Sequence, residues 1–179
     1  MTLSRRLMLL ALPAMMATAP AFAAPDANTV VLTTKDGPVT IELRPDLAPK
    51  TVAQIKTLVG QKFYDGIVFH RVIGGFMAQT GDPTGTGTGG SKLPDLKAEF
   101  TPTPFKRGTV GMARSQSPDS ANSQFFICLG DASFLDGKYT VFGQVTAGMD
   151  VVDKIKKGSE SDNGSVSNPD KIVTFKMAK

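Results

Sequence analysis

Short runs in which apolar and polar residues alternate recur along most of the chain, and turn-forming residues separate them. Alternation with a period of two is typical of β-strands that bury one face, and clusters of Gly, Pro, Asp and Ser mark the ends of such strands. An Asp36-Gly37 pair between the first two runs predicts a β-hairpin. We therefore predict strands over residues 30–34, 39–43, 67–73, 109–113, 123–129, 139–145 and 172–177.

Two segments show a helical period instead. The first begins at Pro49 and ends at Gly60, and its apolar residues recur at spacings of three and four. The second covers residues 149–157 and stops before Gly158. Many short strands with two isolated helices predict a mainly β domain, a closed β-barrel capped by two α-helices. The spacing excludes the repeated βαβ units of a parallel sheet.

The N-terminus departs from this pattern. Two arginines precede an apolar run over residues 7–19 that is too short to span a bilayer. Ala21 and Ala23 then supply the small residues that a signal peptidase reads. We therefore predict a signal peptide over residues 1–23, a flexible leader over 24–29 and one domain over 30–179.

Removal of the signal would leave 156 residues (179 minus 23), which suits one domain with one core. Ser4-Arg5-Arg6 also resembles a twin-arginine signal, so the Sec and twin-arginine export routes both stay open. A buried N-terminal helix is the alternative interpretation. Beyond the signal, no stretch approaches eighteen apolar residues, so we do not expect the mature protein to be embedded in a membrane.

The charge balance argues against nucleic-acid binding. The chain has 20 Lys and Arg residues against 16 Asp and Glu residues, and cleavage would leave 18 against 16. No Lys/Arg cluster that could follow a phosphate backbone is visible. Cys128 is the only cysteine, so no internal disulfide can form, and it lies too far from the signal to belong to a lipobox.

Residues 85–90 match the glycine fingerprint G-x-G-x-x-G of dinucleotide-binding proteins. That fingerprint binds a pyrophosphate only when a strand enters it and a helix leaves it. Here Gly81-Asp82-Pro83 precedes the motif, and Pro94 follows it without a helical apolar period. Lys92 also lacks the Gly-Lys-Ser/Thr context of a Walker loop. We therefore predict a flexible loop without a nucleotide site.

Few groups in the chain could act as a nucleophile, a base or a metal ligand. His70 is the only histidine, and its side chain should point away from that of its strand neighbour Arg71. We interpret His70 as a hydrogen-bonded core residue and Cys128 as a buried, unactivated thiol. One histidine and one cysteine cannot supply metal-ligand spacing, so no metal or other cofactor is expected.

A set of apolar residues with a few polar ends remains as a candidate for binding. On the strand over 123–129, the period of two places Gln124 and Phe126 on one face and Phe125 and Ile127 on the other. Such a set suits a pocket for a neutral substrate that is held rather than attacked. It suits the core of a barrel equally well, and spacing alone does not decide between these interpretations. The set comprises Arg71, Phe76, Met77, Gln79, Gln124, Phe126, Phe134 and Leu135.

Longer motifs follow one another along the chain: FHRVI at 69–73, GFMAQTGD at 75–82, SQFFIC at 123–128, LDGK at 135–138 and VFG at 141–143. In this order they resemble the cyclophilin family of peptidyl-prolyl cis-trans isomerases, and the resemblance extends over residues 30–177. It implies a roughly eight-stranded antiparallel β-barrel, closed at each end by a helix, with the substrate groove on its outside. The signal peptide makes the chain similar to exported bacterial members.

The resemblance also implies roles for individual residues. Arg71 would be the catalytic residue. The other residues would contact the peptide: a proline pocket from Phe76, Met77, Phe126 and Leu135, polar contacts from Gln79 and Gln124, and a groove wall from Ala113 and the backbone of Arg114.

Three positions depart from the commonest family pattern. Arg114 stands where members often have Asn, but a contact made by the backbone should survive this change. Phe134 and Tyr139 stand where many members have Trp and His, and both keep an aromatic ring at the substrate site. Phe134 lacks the indole N–H that many members use to hold cyclosporin, so we expect binding of this drug to be possible but weakened.

The resemblance implies an enzyme that accelerates rotation about Xaa-Pro bonds without a cofactor, because no bond is made or broken. We expect its partners to be proline-containing peptides and unfolded exported proteins in the periplasm, and the mature protein to be a monomer. Two alternatives stay open: a binding module of the same fold that captures proline segments as a chaperone with little turnover, and a nucleotide-binding protein built on residues 85–90. Arg71 favours the enzyme, because a pure binder needs no cation at the twisting nitrogen.

Overall fold

The computed structural model describes residues 27–179, so the predicted signal peptide over 1–23 lies outside it. Neither α-helix in this described part of the chain is long and apolar enough to cross a lipid bilayer. In chain order, the strands and α-helices are β1 (Thr29–Thr34), β2 (Gly37–Leu43), α1 (Pro49–Gly60), β3 (Arg71–Ile73), β4 (Met77–Thr80), β5 (Thr109–Met112), β6 (Phe125–Cys128), β7 (Val141–Ala147), α2 (Met149–Lys154) and β8 (Thr174–Met177).

All eight strands belong to one antiparallel sheet with the order β3-β4-β6-β5-β7-β2-β1-β8. Near the end strands β3 and β8, the two sides of the sheet meet through the isolated bridges Val68 to Lys171 and Arg71 to Ser165 and through single backbone hydrogen bonds, without a continuous ladder. The mainly β prediction, with eight antiparallel strands and two helices, is confirmed. The expected continuous closure is not, since the hydrogen-bond ladder stops at β3 and β8 and leaves a curled half-barrel.

Local sequence explains the first hairpin and the first helix. Thr34 pairs with Gly37 across the turn between β1 and β2, and Gly37 has a φ of 135°, which glycine adopts readily. Helix α1 has the predicted bounds. Its N-terminus is capped by a distant side chain, because the Glu99 carboxylate accepts hydrogen bonds from the backbone N–H groups of Lys50 (3.0 Å) and Thr51 (2.9 Å).

Most strand bounds differ from the sequence prediction by one or two residues, and three differences are informative. Strand β1 begins at Thr29, within the expected leader. The strand predicted over 67–73 is a strand only over β3, and the pattern missed β4, which follows a tight turn in which the N–H of Phe76 donates to the Ile73 carbonyl (3.1 Å). Helix α2 is shorter than predicted because the backbone of Ile155, with a ψ of 130°, leaves the helical conformation.

Two apolar clusters are separated by the sheet. The larger one includes the buried apolar residues of both helices and the aromatic rings of Tyr64, Phe125, Phe142 and Phe175. The smaller one includes Met77, Phe105, Phe126, Cys128 and Leu135. Strand β6 contributes to both, since alternate side chains point to opposite faces of a sheet. The predicted division of Phe126 from Phe125 and Ile127 is confirmed.

Candidate active site

A concavity of about 110 Å³, here called the apolar pocket, lies on the face of the sheet that carries the smaller cluster. Strand register builds it: Arg71 of β3 lies opposite Gln79 of β4, which lies opposite Phe126 of β6. Gln124 and Phe134, both predicted site residues, do not line it. The other nine predicted residues do: Arg71, Phe76, Met77, Gln79, Ala113, Arg114, Phe126, Leu135 and Tyr139.

Tight packing preforms the floor of the apolar pocket. Only 4% of Phe126 and 7% of Leu135 is exposed. The Phe126 ring stacks on Phe105, with 5.7 Å between centroids, and meets Tyr139 edge-on at 6.1 Å. Gly111 makes this packing possible, because a side-chain carbon there would collide with the rings of Phe105 and Phe126. A preformed apolar pocket can accept a small ring without the cost of ordering its walls.

Arg71 places a guanidinium on the polar side of the apolar pocket. Its Nη1 donates to Oε1 of Gln79 (3.3 Å), its Nε donates to the backbone carbonyl of Asn163 (2.9 Å), and its Nη2 donates to Oδ1 of Asn163 (2.9 Å). Burial lowers the pKa of Arg71, but an arginine stays charged in proteins. No carboxylate in residues 27–179 forms an ion pair with it, so its charge is available to a bound group.

A chain of amide hydrogen bonds continues from Arg71 into a second, larger concavity of about 590 Å³, here called the polar groove. The Nε2 of Gln79 donates to Oε1 of Gln124 at 2.9 Å. The Nε2 of Gln124 then donates to the backbone carbonyls of Gly87 (3.0 Å) and Gly89 (2.8 Å). Gln124 therefore lies in the polar groove, where it connects the glycine-rich loop to the guanidinium.

The glycine-rich loop over residues 85–90 forms no helix, as predicted. The carboxylate of Asp82 accepts hydrogen bonds from the backbone N–H groups of Thr84 (2.7 Å), Gly87 (2.6 Å) and Gly89 (3.1 Å). Burial acts to raise the pKa of Asp82, but these bonds and the Thr84 hydroxyl together hold it at about 2. A phosphate would need the same N–H groups, so Asp82 occupies the position of such an anion. Its bonds also hold the loop in one conformation, whereas the sequence had predicted a flexible loop.

Ala113 and Arg114 form the wall that the apolar pocket and the polar groove share. The Arg114 guanidinium lies 4.4 Å from the centroid of the Tyr139 ring, which is a cation–π contact. It also donates to the backbone carbonyls of Ser115 (2.9 Å) and Lys138 (3.0 Å). The Arg114 side chain therefore supports the Tyr139 ring, in addition to the backbone contact that the resemblance implies.

Phe134 lies on the rim of the site and not within the apolar pocket. It is 60% exposed, and its ring packs against Phe76 with 5.2 Å between centroids. A ligand that fits the apolar pocket alone, such as a proline ring, would contact its buried floor. Only a larger ligand would also reach Phe134.

His70 and Cys128 line neither the apolar pocket nor the polar groove. The side chain of His70 is 9% exposed, and neither ring nitrogen has a hydrogen-bond partner among the described residues, so the expected hydrogen bond is wrong. Burial lowers the pKa of His70, because a charged imidazole would lose its hydration. Cys128 is fully buried and its pKa is raised to about 12, which confirms an unactivated thiol. Within residues 27–179, no group of His, Cys, Asp and Glu side chains is arranged to hold a metal ion.

Sequence reasoning missed three residues that shape the site: Phe105, Gly111 and Asn163. Phe105 and Gly111 act through packing, which no local pattern reveals. Asn163 precedes a glycine in a turn-forming stretch, but nothing in that stretch connects it to Arg71, which lies 92 positions away.

Comparison with known proteins identifies the family. Residues 29–177 match the model of the cyclophilin type peptidyl-prolyl cis-trans isomerase/CLD family. A Brucella suis protein named "Probable peptidyl-prolyl cis-trans isomerase" is 63% identical over 164 residues, which cover 86% of this chain and 84% of that protein. A Helicobacter pylori peptidyl-prolyl cis-trans isomerase is 46% identical over 129 residues, covering 70% of this chain and 78% of the relative.

Similarity to solved structures supports the same family. A cyclophilin from Hirschia baltica matches with a TM-score of 0.75 at 30% identity, covering 84% of this chain and 73% of that one. A cyclophilin type isomerase from Cryptosporidium parvum, crystallised in the presence of the dipeptide Ala-Pro, matches with a TM-score of 0.77 at 28% identity, covering 84% of this chain and 99% of that one. The chain therefore belongs to the cyclophilin-type peptidyl-prolyl cis-trans isomerases.

Proposed function

We propose that this isomerase accelerates rotation about Xaa-Pro bonds in exported proteins, with Arg71 as its catalytic residue and the apolar pocket as the site of the proline ring. The observation that carries the proposal is the position of Arg71, whose charge has no carboxylate partner in residues 27–179 and lies at the edge of the apolar pocket. An enzyme for this reaction needs a pocket for the proline ring and a cation beside the Xaa-Pro peptide bond.

The physical chemistry of the peptide bond explains why these two features suffice. Partial double-bond character gives the C–N bond a rotation barrier of about 18–20 kcal/mol. Twisting the bond localises the lone pair on the proline nitrogen. A guanidinium aimed at that nitrogen stabilises the twisted state more than either planar state, and such differential stabilisation is what catalysis requires.

The groups around Arg71 would hold the peptide. Met77, Phe126 and Leu135 are buried and apolar, so they can enclose the proline ring. Gln79 and Gln124 carry amides that can exchange their mutual hydrogen bond (2.9 Å) for bonds to a peptide backbone. We assign the polar groove to the residues next to the proline, because it adjoins the apolar pocket along a shared wall.

An isomerisation assay on a Xaa-Pro tetrapeptide, with the protein truncated to residues 24–179, tests catalysis. The uncatalysed reaction takes tens to hundreds of seconds, so an enzyme is easily detected. Arg71→Ala should lower kcat/KM about 10²–10³-fold with the fold retained, since a lost transition-state donor typically costs this much. Wild-type rates in a folded Arg71→Ala variant would contradict the role of Arg71. Tight peptide binding by the wild-type protein without any acceleration would favour the binding module instead.

The cellular setting of the proposal rests on the N-terminal sequence. Two arginines, an apolar run over 7–19 and small residues at Ala21 and Ala23 support export to the periplasm. There, slow proline isomerisation limits the folding of many chains, which gives the enzyme its substrates. Fractionation of cells that produce the C-terminally tagged full-length chain should yield a periplasmic protein beginning at Ala24. Uncleaved protein confined to the cytoplasm would contradict this setting.

A further inference from the structure

A loop that is distant in sequence lies along the edge of β3. Residues 158–166, here called the edge loop, join α2 to β8 and bond to the backbone of β3 and the residue before it. The N–H of Val72 donates to the Gly164 carbonyl (2.8 Å), and the N–H of Gly158 donates to the Val72 carbonyl (2.9 Å). The N–H of Val166 donates to the His70 carbonyl (3.1 Å). The edge loop is therefore fixed to the strand that carries Arg71.

Internal hydrogen bonds give the edge loop a defined shape. The N–H groups of Asp162 (3.1 Å) and Gly164 (2.8 Å) both donate to the Ser159 carbonyl, and the N–H of Ser165 donates to the Asp162 carbonyl (2.9 Å). Asn163 has a φ of 49°, in the left-handed region that asparagine enters more readily than other non-glycine residues. This conformation reverses the chain and directs two oxygens of one residue, the carbonyl and Oδ1 of Asn163, at the Arg71 guanidinium.

The two bonds from Asn163 determine the orientation of the whole guanidinium. The group is planar and carries five N–H donors. One on Nε and one on Nη2 bind Asn163, each at 2.9 Å, and one on Nη1 binds Gln79 at 3.3 Å. Two bonds on one edge of a rigid plane fix that plane. Two N–H donors, one on Nη1 and one on Nη2, stay free for a substrate.

Neutral acceptors suit this task better than carboxylates would. Arg44 and Arg107 are oriented by Asp46 and Asp153, each with a closest N–O distance of 2.6 Å, and such pairing largely neutralises the cation. The oxygens of Asn163 orient the guanidinium and leave its positive charge intact. Arginine side chains otherwise lose much rotamer freedom when they are fixed, and the edge loop fixes Arg71 before a substrate binds.

We propose that Asn163 is a positioning residue of the isomerase, which acts through Arg71 by holding its guanidinium in the plane required at the twisted bond. The inference rests on the proposed catalytic role of Arg71. Because Asn163 would preorganise the transition state and not the peptide complex, its loss should lower kcat and leave KM nearly unchanged.

Asn163→Ala tests the inference, and Asn168→Ala is its matched control. Asn168 is also an exposed, left-handed asparagine, with a φ of 51°, but it does not contact Arg71. Both substitutions place alanine in the same strained backbone region, so they should affect stability similarly. We expect Asn163→Ala to lower kcat about 10- to 100-fold, because small misplacements of a catalytic group have effects of this size. Asn168→Ala should keep the wild-type kcat, and equal kcat values in the two variants would overturn the inference.

A double-mutant cycle and a spectroscopic measurement separate positioning from a structural effect. Adding Asn163→Ala to Arg71→Ala should cause no further loss of activity, since the group that Asn163 positions is already absent. An equal loss in both backgrounds would overturn the inference. Solvent exchange of the Arg71 Nη2 protons, followed by ¹⁵N NMR, should accelerate in Asn163→Ala, which removes the Oδ1 acceptor of Nη2, and not in Asn168→Ala. If Arg71→Ala alone kept full activity, the proposed function would fail instead, so the two failures are distinguishable.

Discussion

Phe125 and Phe126 are neighbours on β6 whose rings lie on opposite faces of the sheet, so truncating each one separates fold stability from substrate binding. Phe125 is fully buried, and its ring lies 5.5–6.0 Å from those of Tyr64, Phe142 and Phe175. Phe126 is 4% exposed, packs on two rings and faces the apolar pocket. We therefore expect both Phe→Ala changes to destabilise the protein, but only one of them to weaken the substrate complex.

The magnitudes follow from burial. Truncating a core phenylalanine costs about 3–5 kcal/mol, and the surroundings of Phe125 place it at the upper end of this range. Phe126 belongs at the lower end, because one side of its ring already borders an open pocket. In a domain of this size 1 kcal/mol shifts Tm by about 2–4 °C, so Phe125→Ala should lower Tm by about 10–20 °C and Phe126→Ala by about 6–12 °C.

Thermal melts followed by isomerisation kinetics at about 10 °C, where both variants are folded, check these values. Phe126→Ala should raise KM for a Xaa-Pro peptide about tenfold, because the proline ring loses an apolar wall. Phe125→Ala should leave KM within about twofold of the wild-type value. A larger rise of KM in Phe125→Ala than in Phe126→Ala would show that the pocket has been assigned to the wrong face of β6.

Two further predictions concern the rim and the glycine-rich loop. Phe134→Trp should tighten cyclosporin binding about tenfold in a fluorescence titration, because it adds an N–H donor worth about 0.5–1.5 kcal/mol at the exposed rim. The isomerase rate should change little. A tenfold gain in rate without a gain in drug affinity would place residue 134 in the catalytic pocket. The pKa of Asp82 is held at about 2, below its usual value, so its stabilisation should be complete above about pH 4 and lost as the pH falls through about 2. Asp82→Asn should flatten the acid side of the stability curve, and unchanged acid sensitivity of the melts would contradict this.

Most of the fold could be predicted from the sequence because it depends on local patterns. Helix α1 follows from Pro49, a 3.6-residue apolar period and a terminal glycine, and its bounds agree with the structure. The faces of β6 follow from a period of two. The pattern missed β4 because MAQT is only four residues long, and its three buried positions give no clean alternation. Its place between β3 and β6 depends on pairing with strands far along the chain.

The motifs around Arg71 and Phe126 also identified the family from sequence alone, because long motifs in a fixed order are specific. The tertiary structure decided how these residues work together. It brought the oxygens of Asn163 within hydrogen-bond distance of the Arg71 guanidinium. It also paired N–H groups of the glycine-rich loop with the Asp82 carboxylate. It also left His70 without the hydrogen bond that its buried position had led us to expect. Hydrogen bonds of this kind depend on distance and angle between residues widely separated along the chain, so only the folded backbone determines which groups meet.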